Sequence, residues 1–313
     1  MIRLTFLGTS AAAPTVTRNV SAVALKREGD LMLFDCGEGT QRQMMRFGTG
    51  FDVRDVFFTH LHADHFLGII GFVRTLWMAD RQEPMRLYGP KPAGRILSQA
   101  LTLGLQGARF PIEIHEVKDG DVVQRDGYQV AAFRVDHRIS ALGYVLLEPE
   151  RPGRFNLEQA RALGIPEGPL FGKLQHGQAV RLPDGREILP SQVVGGARPG
   201  RKVVISGDTR PCATTLEASR GADLLVHEAT FGDEEMDRAL ETAHCTAREA
   251  ARLAREAVVK RLVLTHVSSR YDLDVSLLLK QAREEFASVE FAKDGLSFEV
   301  GFADEAAPGA QSP

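Results

Sequence analysis

Along most of the chain, short apolar runs rich in β-branched residues alternate with segments of helical spacing. The apolar runs predict strands at Ile2–Leu7, Ser21–Leu25, Leu31–Phe34, Val53–Phe58, Met85–Tyr88, Gln129–Val135, Val203–Ser206, Leu224–Val226, Leu262–Thr265 and Leu296–Val300. Helices are predicted at Thr40–Phe47, Phe66–Ala79, Lys91–Gly104, Pro211–Arg220 and Ala247–Val259. The last opens on a capping box, Thr246 followed three residues later by Glu249, and has an Ala/Arg/Glu-rich body. Strands and helices mixed in this way predict one α/β domain over 1–303, its helices covering sheet faces.

Residues 150–201 break that rhythm. They are dense in Gly and Pro and hold no long core strand, which predicts an insertion or protruding arm between two halves. From Glu150 to Lys202 nine Lys/Arg face five Asp/Glu, a local net of +4, leaving −7 for the remainder of a chain whose total is −3. The end, 304–313, reads as a disordered tail.

Composition narrows the class. The chain has 313 residues, enough for one large or two smaller domains, and its 43% hydrophobic and 25% charged residues are those of a globular protein. A net charge of −3 gives no global nucleic-acid signature, though a local basic element remains compatible with one. Cys36, Cys212 and Cys245 are scattered and odd in number, so they offer neither a disulfide framework nor a CxxC metal site. The apolar run in MIRLTFLGTS is too short for a signal peptide, and no stretch approaches the roughly 18 apolar residues of a membrane span. The expectation is a cytoplasmic protein without membrane contact.

Chemistry gathers at the ends of the predicted strands. VFFTH ends at His60, AAFRVDH at His137, VVISGD at Asp208, LLVHE at His227 and Glu228, and LVLTH at His266. A lone histidine at a strand end is more often structural, but open α/β sheets collect ligands beyond the carboxyl ends of their strands. In DVFFTHLHADHFLGI, His60, His62, Asp64 and His65 fall within six positions, with a third of the chain's nine histidines. His60 and His62 project to one side of an extended segment, while Asp64 and His65 lie where the chain turns into a helix. Neutral imidazoles with carboxylates suit zinc or a similar divalent ion, and burying them without one would demand many compensating hydrogen bonds.

The H-x-H-x-D-H pattern resembles the signature of the metallo-β-lactamase superfamily. Within it the chain resembles the short-form ribonuclease Z family of tRNA 3′-processing endonucleases, over about Met1 to Val300. The resemblance rests on FLGTSAAAPTVTRN, LFDCGEGTQRQ, GIPEGPLFGKL, SGDTRPC, VHEATF, the histidine of AHCT, and LTHVSSRY, in that order. It implies a four-layer αβ/βα sandwich with an inserted flexible arm that carries an exosite for the tRNA body. It also implies two Zn2+ ions per chain, with Mn2+ or another divalent ion as a substitute. One ion would be held by His60, His62 and His137, the other by Asp64, His65 and His266, with Asp208 bridging.

The implied reaction removes the 3′ trailer of precursor tRNA by in-line attack of a hydroxide held between the metals, leaving a tRNA 3′-hydroxyl and a 5′-phosphate on the trailer. Asp64 would accept the water's proton, His244 would protonate the leaving oxygen, and Glu228 would orient His244. Alone, Glu228 reads equally as a helix cap or a structural acceptor. Arg18 and Asn19 are expected near the tRNA 3′ end; Arg270 and Tyr271 at phosphate or a base, with a plain salt bridge the alternative for Arg270; and Arg161, Phe171 and Lys173 on the arm. Val16 stands where many members carry a basic residue, Ala63 where glycine is common, and Cys245 where serine is frequent. The resemblance further implies a homodimer. Broader 3′-exonuclease or phosphodiesterase activity, or another hydrolase of the superfamily, are the competing readings.

Overall fold

The computed structural model describes residues 1–103 and 110–302. Met1–Leu147 with the chain from Lys202 onward forms one unit, and Glu148–Arg201 a second. In chain order the first part of the larger unit holds β1 (Ile2–Gly8), β2 (Ala22–Arg27), β3 (Asp30–Phe34), α1 (Thr40–Phe47), β4 (Val53–Phe57), α2 (Ala63–Phe66), α3 (Gly68–Met78), β5 (Met85–Gly89), α4 (Ala93–Thr102), β6 (Ile112–Glu116), β7 (Val122–Arg125), β8 (Tyr128–Arg134) and β9 (Leu142–Leu147). The second unit holds α5 (Leu157–Ala162), α6 (Pro169–Gln175), β10 (Val180–Arg181) and β11 (Glu187–Ile188). The larger unit resumes with β12 (Lys202–Ile205), α7 (Ala213–Ser219), β13 (Leu224–Glu228), α8 (Met236–Thr242), α9 (Ala247–Glu256), β14 (Leu262–Thr265), α10 (Ser276–Arg283), β15 (Val289–Phe291) and β16 (Ser297–Val300).

Two seven-stranded mixed sheets result, ordered β16-β1-β2-β3-β4-β5-β6 and β15-β14-β13-β12-β9-β8-β7. Their inner faces share one core, in which Leu4, Phe6 and Phe34 of the first sheet meet Tyr144, Val203 and Val226 of the second. The Tyr144 ring lies 5.3 Å from that of Phe57, and its hydroxyl donates to the Phe58 carbonyl at 2.7 Å, just before His60. Outside, Ile69, Phe72 and Leu97 of the α3 and α4 helices cover Leu33, Val56 and Leu87. On the far side Ala250, Leu253 and Leu278 of α9 and α10 cover Leu225 and Leu264. This makes four layers, as the resemblance implies. The Thr246–Glu249 capping box at α9 forms as the spacing predicts.

The differences have physical causes. The helix expected over Phe66–Ala79 runs as α3, and a separate single turn, α2, precedes it and carries Asp64 and His65. Gly68 opens α3 because a Cβ there would lie 1.9 Å from the Gly37 carbonyl oxygen. Strand β9 escaped prediction although five of its six residues are buried. Its Gly143, which reads as a break, is required where the paired Phe133 ring would stand 2.1 Å from a Cβ. Strands β6, β7 and β15 and the α8 and α10 helices were also not predicted. Gly104, the expected end of the helix begun at Lys91, and the expected tail 304–313 lie outside the described residues.

The insertion is better built than its composition predicts. Ala160, Ile165, Leu174, Val180, Leu182, Ile188 and Val193 form a small core of their own, against which Phe155 and Phe171 pack. At its base Arg201 Nε donates to Glu148 Oε2 at 2.7 Å, with both side chains buried, and the Glu148 N–H donates to the Arg201 carbonyl at 3.0 Å. Breaking a buried ion pair costs about 3–5 kcal/mol because one charge stays behind. In Arg201→Ala, limited proteolysis should therefore show new cuts inside 149–200 while the rest of the chain resists; a cleavage pattern identical to the parent's would contradict this role. Among the described residues no helix is long and apolar enough to cross a membrane.

Candidate metal centre

The strands end where the chemistry begins. The β4 strand runs out at Phe57 and delivers His60; His62 caps the next helical turn, and Asp64 and His65 sit within it. His137 follows β8, Asp208 follows β12, and His266 follows β14 directly, in a left-handed conformation with φ 58°. The seven side chains converge. Nitrogens of His60, His62 and His137 lie within 4.8 Å of one another and of a carboxylate oxygen of Asp208. Asp64, His65 and His266 form a second group of the same compactness. Asp208 faces both, with Oδ2 3.5 Å from His60 Nε2 and 3.3 Å from His65 Nε2, and Oδ1 3.4 Å from His266 Nε2.

The hydrogen bonds behind the ligands set their chemistry. His65 Nδ1 donates to Asp35 Oδ2 at 2.7 Å, and His137 Nδ1 donates to the Ala243 carbonyl at 3.0 Å. The Thr59 hydroxyl gives its proton to Asp35, so it accepts from His60 Nδ1 at 3.0 Å. The Thr230 hydroxyl likewise donates to Glu228 and accepts from His266 Nδ1 at 3.1 Å. The network thus assigns the Nδ1–H tautomer to four rings and aims four Nε2 lone pairs inward. His62 Nδ1 lies 2.9 Å from His60 Nε2 and 3.3 Å from His137 Nε2. Converging lone pairs of this kind, with two carboxylates, are a donor set that fits a divalent cation.

Charge agrees with that reading at three of the imidazoles, while at His65 burial is outweighed by the Asp208 and Asp35 charges, which raise the pKa. Burial, and then the neighbouring imidazoles, lower the pKa values of His60 and His62, and burial lowers that of His137, keeping all three in the neutral form that ligates metal. Asp64 stays well below the carboxylate range: burial opposes its charge, but the adjacent His266 and His65 rings outweigh it. The Ala12 N–H also donates to Asp64 Oδ2 at 2.8 Å, from a loop whose Ser10 bridges to Val267 beyond His266.

Beside the cluster stands a separate pair. His244 Nδ1 is 2.8 Å from Glu228 Oε1, with its ring centroid 5.2 Å from His137 and 5.3 Å from His266. Burial disfavours the imidazolium, yet the Glu228 charge wins and raises the pKa to about 9. Glu228 is itself buried, and it accepts from the backbone N–H groups of Thr209, Thr230 and Cys245. Glu228 thus caps none of the described helices; its carboxylate anchors three backbone segments and orients His244.

The other expected residues separate. Arg18 is a correction: it is buried, and its Nη1 donates to Thr9 and to the Ala292 carbonyl, so it braces the loop from inside and is not presented to a ligand. Asn19 Nδ2 donates to the Glu38 carbonyl. Arg270 pairs with Glu235 at 3.3 Å, and the Tyr271 hydroxyl lies 2.8 Å from a Glu234 oxygen and 2.9 Å from a Glu235 oxygen, so both are tied to the turn before α8. Arg161 pairs with Glu167, Phe171 packs 4.7 Å from Phe155, and Lys173 is exposed in the last turn of α6. His227 lies outside both ligand groups and donates to the Glu228 carbonyl. Cys245 is buried, its thiol donating to the Thr209 carbonyl, so it offers phosphate nothing.

Sequence reasoning missed the residues behind the ligands, Asp35 above all, which reads as a buried structural group. Supporting carboxylates of this kind are worth 10- to 100-fold in metal affinity or activity by general experience. Asp35→Ala should lower metal affinity by about that factor, measured by competition with a chromophoric chelator. Affinity equal to the parent's would reduce Asp35 to a packing residue.

Comparison with known proteins agrees with the geometry. Residues 2–148 match the family model described as anti-Pycsar protein Apyc1, and 173–267 match a β-lactamase superfamily domain. A ribonuclease Z of Myxococcus xanthus is 63% identical over 305 residues, covering 97% of this chain and 99% of that protein. One from Haloferax volcanii is 51% identical, covering 99% of each. The crystal structure of the short form of human tRNase Z superposes with a TM-score of 0.69 at 29% identity, covering 96% of this chain and 99% of that one. With such identities over nearly its full length, and with the ligand set in place, the chain belongs to the ribonuclease Z family.

Proposed function

We propose that the protein is a zinc-dependent endoribonuclease that removes the 3′ trailer from precursor tRNA, leaving a 3′-hydroxyl on the tRNA and a 5′-phosphate on the trailer. The observation that carries this is the convergence of two ligand groups on Asp208 with the His244–Glu228 pair beside them. His60, His62 and His137 would hold one Zn2+, and Asp64, His65 and His266 a second, with Asp208 shared. Bound there, divalent ions supply Lewis acidity at the phosphate and make water acidic near neutral pH.

The chain's own groups handle the protons. Asp64, held ionised and oriented by the Ala12 N–H, accepts the proton of the attacking water. His244 has Nδ1 committed to Glu228, which leaves Nε2–H to protonate the departing 3′-oxygen. The loop before Asn19 would meet the tRNA 3′ end, and Lys173 and its neighbours on the insertion would grip the tRNA body. Two copies of the chain, working in the cytoplasm, complete the reading.

The test is incubation of the metal-loaded protein with a precursor tRNA. A single cut near the acceptor-stem end is expected. Because Glu148 N and the Arg201 carbonyl oxygen lie 3.0 Å apart, a short turn can replace the insertion. That form should lose tRNA cleavage but keep hydrolysis of a small phosphodiester. Normal tRNA cleavage without the insertion would refute the grip.

A further inference from the structure

A cleft of about 530 Å3 opens beside the metal cluster and shares His137 with it. Its walls are the turn after β5, the turn between β6 and β7, and the segment from Arg134 to Leu142. Lys91, Lys118, Arg134 and Arg138 line it, all four exposed. Asp119 and Asp136 line it too, but Asp119 Oδ1 already accepts from the Arg134 N–H at 3.0 Å. The lining is thus net positive by two on a chain whose net charge is −3. Ile139 adds an exposed apolar side chain and Val117 a half-buried one. The size lies within the roughly 300–1,000 Å3 of small-ligand sites. Cations spaced along a groove with apolar surface between them suit the backbone and bases of a single strand.

The cleft also has a direction. The loop that contacts Asp64 and the segment after His266 are joined at Ser10 and Val267, so they frame the Asp64–His266 side of the site. The cleft opens instead from His137, which belongs to the other ligand group. A strand whose tRNA end lies at the loop crosses the cluster and leaves past His137.

We infer that this cleft is the binding track for the single-stranded trailer, with Lys91, Lys118, Arg134 and Arg138 holding its phosphates. The inference rests on the tRNA-processing reading above and adds what that reading leaves open, namely where the RNA beyond the cut is held. It makes trailer length a determinant of efficiency. A trailer of one nucleotide cannot fill the cleft, whereas a longer one can.

The test compares the parent with a Lys91→Ala/Lys118→Ala double variant, both metal-loaded. The substrates are precursors with the same tRNA body and trailers of one or ten nucleotides. The ratio of kcat/KM for the long over the short trailer should fall by about tenfold in the variant. The slope of log kcat/KM against log salt on the long trailer should become shallower by about 1.4, at ~0.7 for each lost contact to a single strand. An unchanged ratio, or equal losses on both substrates, would overturn the inference. Independently, 4-thiouridine at the third trailer position should crosslink, in the Asp64→Ala protein, to residues 117–119 or 138–141, and labelling confined to other segments would overturn it as well. If the parent cuts neither precursor, the tRNA reading fails first and the trailer track falls with it.

Discussion

Asp64→Ala should reduce kcat/KM on precursor tRNA by at least about 10⁴-fold while leaving the fold intact. Two losses combine. General-base assistance alone is worth about 10²–10⁴-fold, and removing a ligand carboxylate weakens the hold on the metal besides. Asp64 stands 3.4 Å from both His65 and His266, and Asp208, which also reaches these two rings, is shared with the other ligand group. Its side chain is also the acceptor for Ala12, so the N-terminal loop loses an anchor while the buried sheets keep their packing. Circular dichroism and the melting midpoint should stay close to the parent's. Residual cleavage within tenfold of the parent would show that another group takes the proton.

His244→Ala should cost about 10²–10⁴-fold on tRNA, because an alkoxide then departs without a proton. The same variant should lose less than about tenfold on bis(p-nitrophenyl) phosphate, whose phenolate leaves unaided. The contrast between the substrates is what identifies an acid. His244 lies within 4.8 Å of Asp208 and His266, so it could also serve as a ligand, but Nδ1 is given to Glu228 at 2.8 Å. A ligand would be missed equally on both substrates, and equal losses would therefore remove His244 from its role as acid. Glu228→Gln keeps the hydrogen-bonding shape and removes the charge, so it should show the same contrast to a smaller degree.

Much of this site was legible because strand ends are legible. His60, His137, Asp208 and His266 each terminate or closely follow an apolar run, and parallel strands deliver their carboxyl ends to one edge. The tautomer network was not. Thr59 and Thr230 look like ordinary strand residues, and the Ala243 carbonyl has no sequence signature at all. Their roles depend on which chain segments the two sheets bring within 3.1 Å of an imidazole. Arg18 misleads for a related reason. A basic residue in a Gly/Pro-rich loop reads as a ligand contact, yet Thr9 and the Ala292 carbonyl draw it inward. Strand β9 was hidden by Gly143, whose place is dictated by the Phe133 ring opposite and by nothing in its own neighbourhood. The insertion's core was hidden because its buried residues, from Ala160 to Val193, follow neither the helical nor the strand period.

The central claim is that two cations share Asp208. Elemental analysis of protein loaded with Zn2+ and then exhaustively dialysed tests it directly, with Asp208→Ala measured alongside. The account predicts close to two equivalents per chain in the parent and a clear loss in the variant. One equivalent or none in a well-folded parent would contradict it.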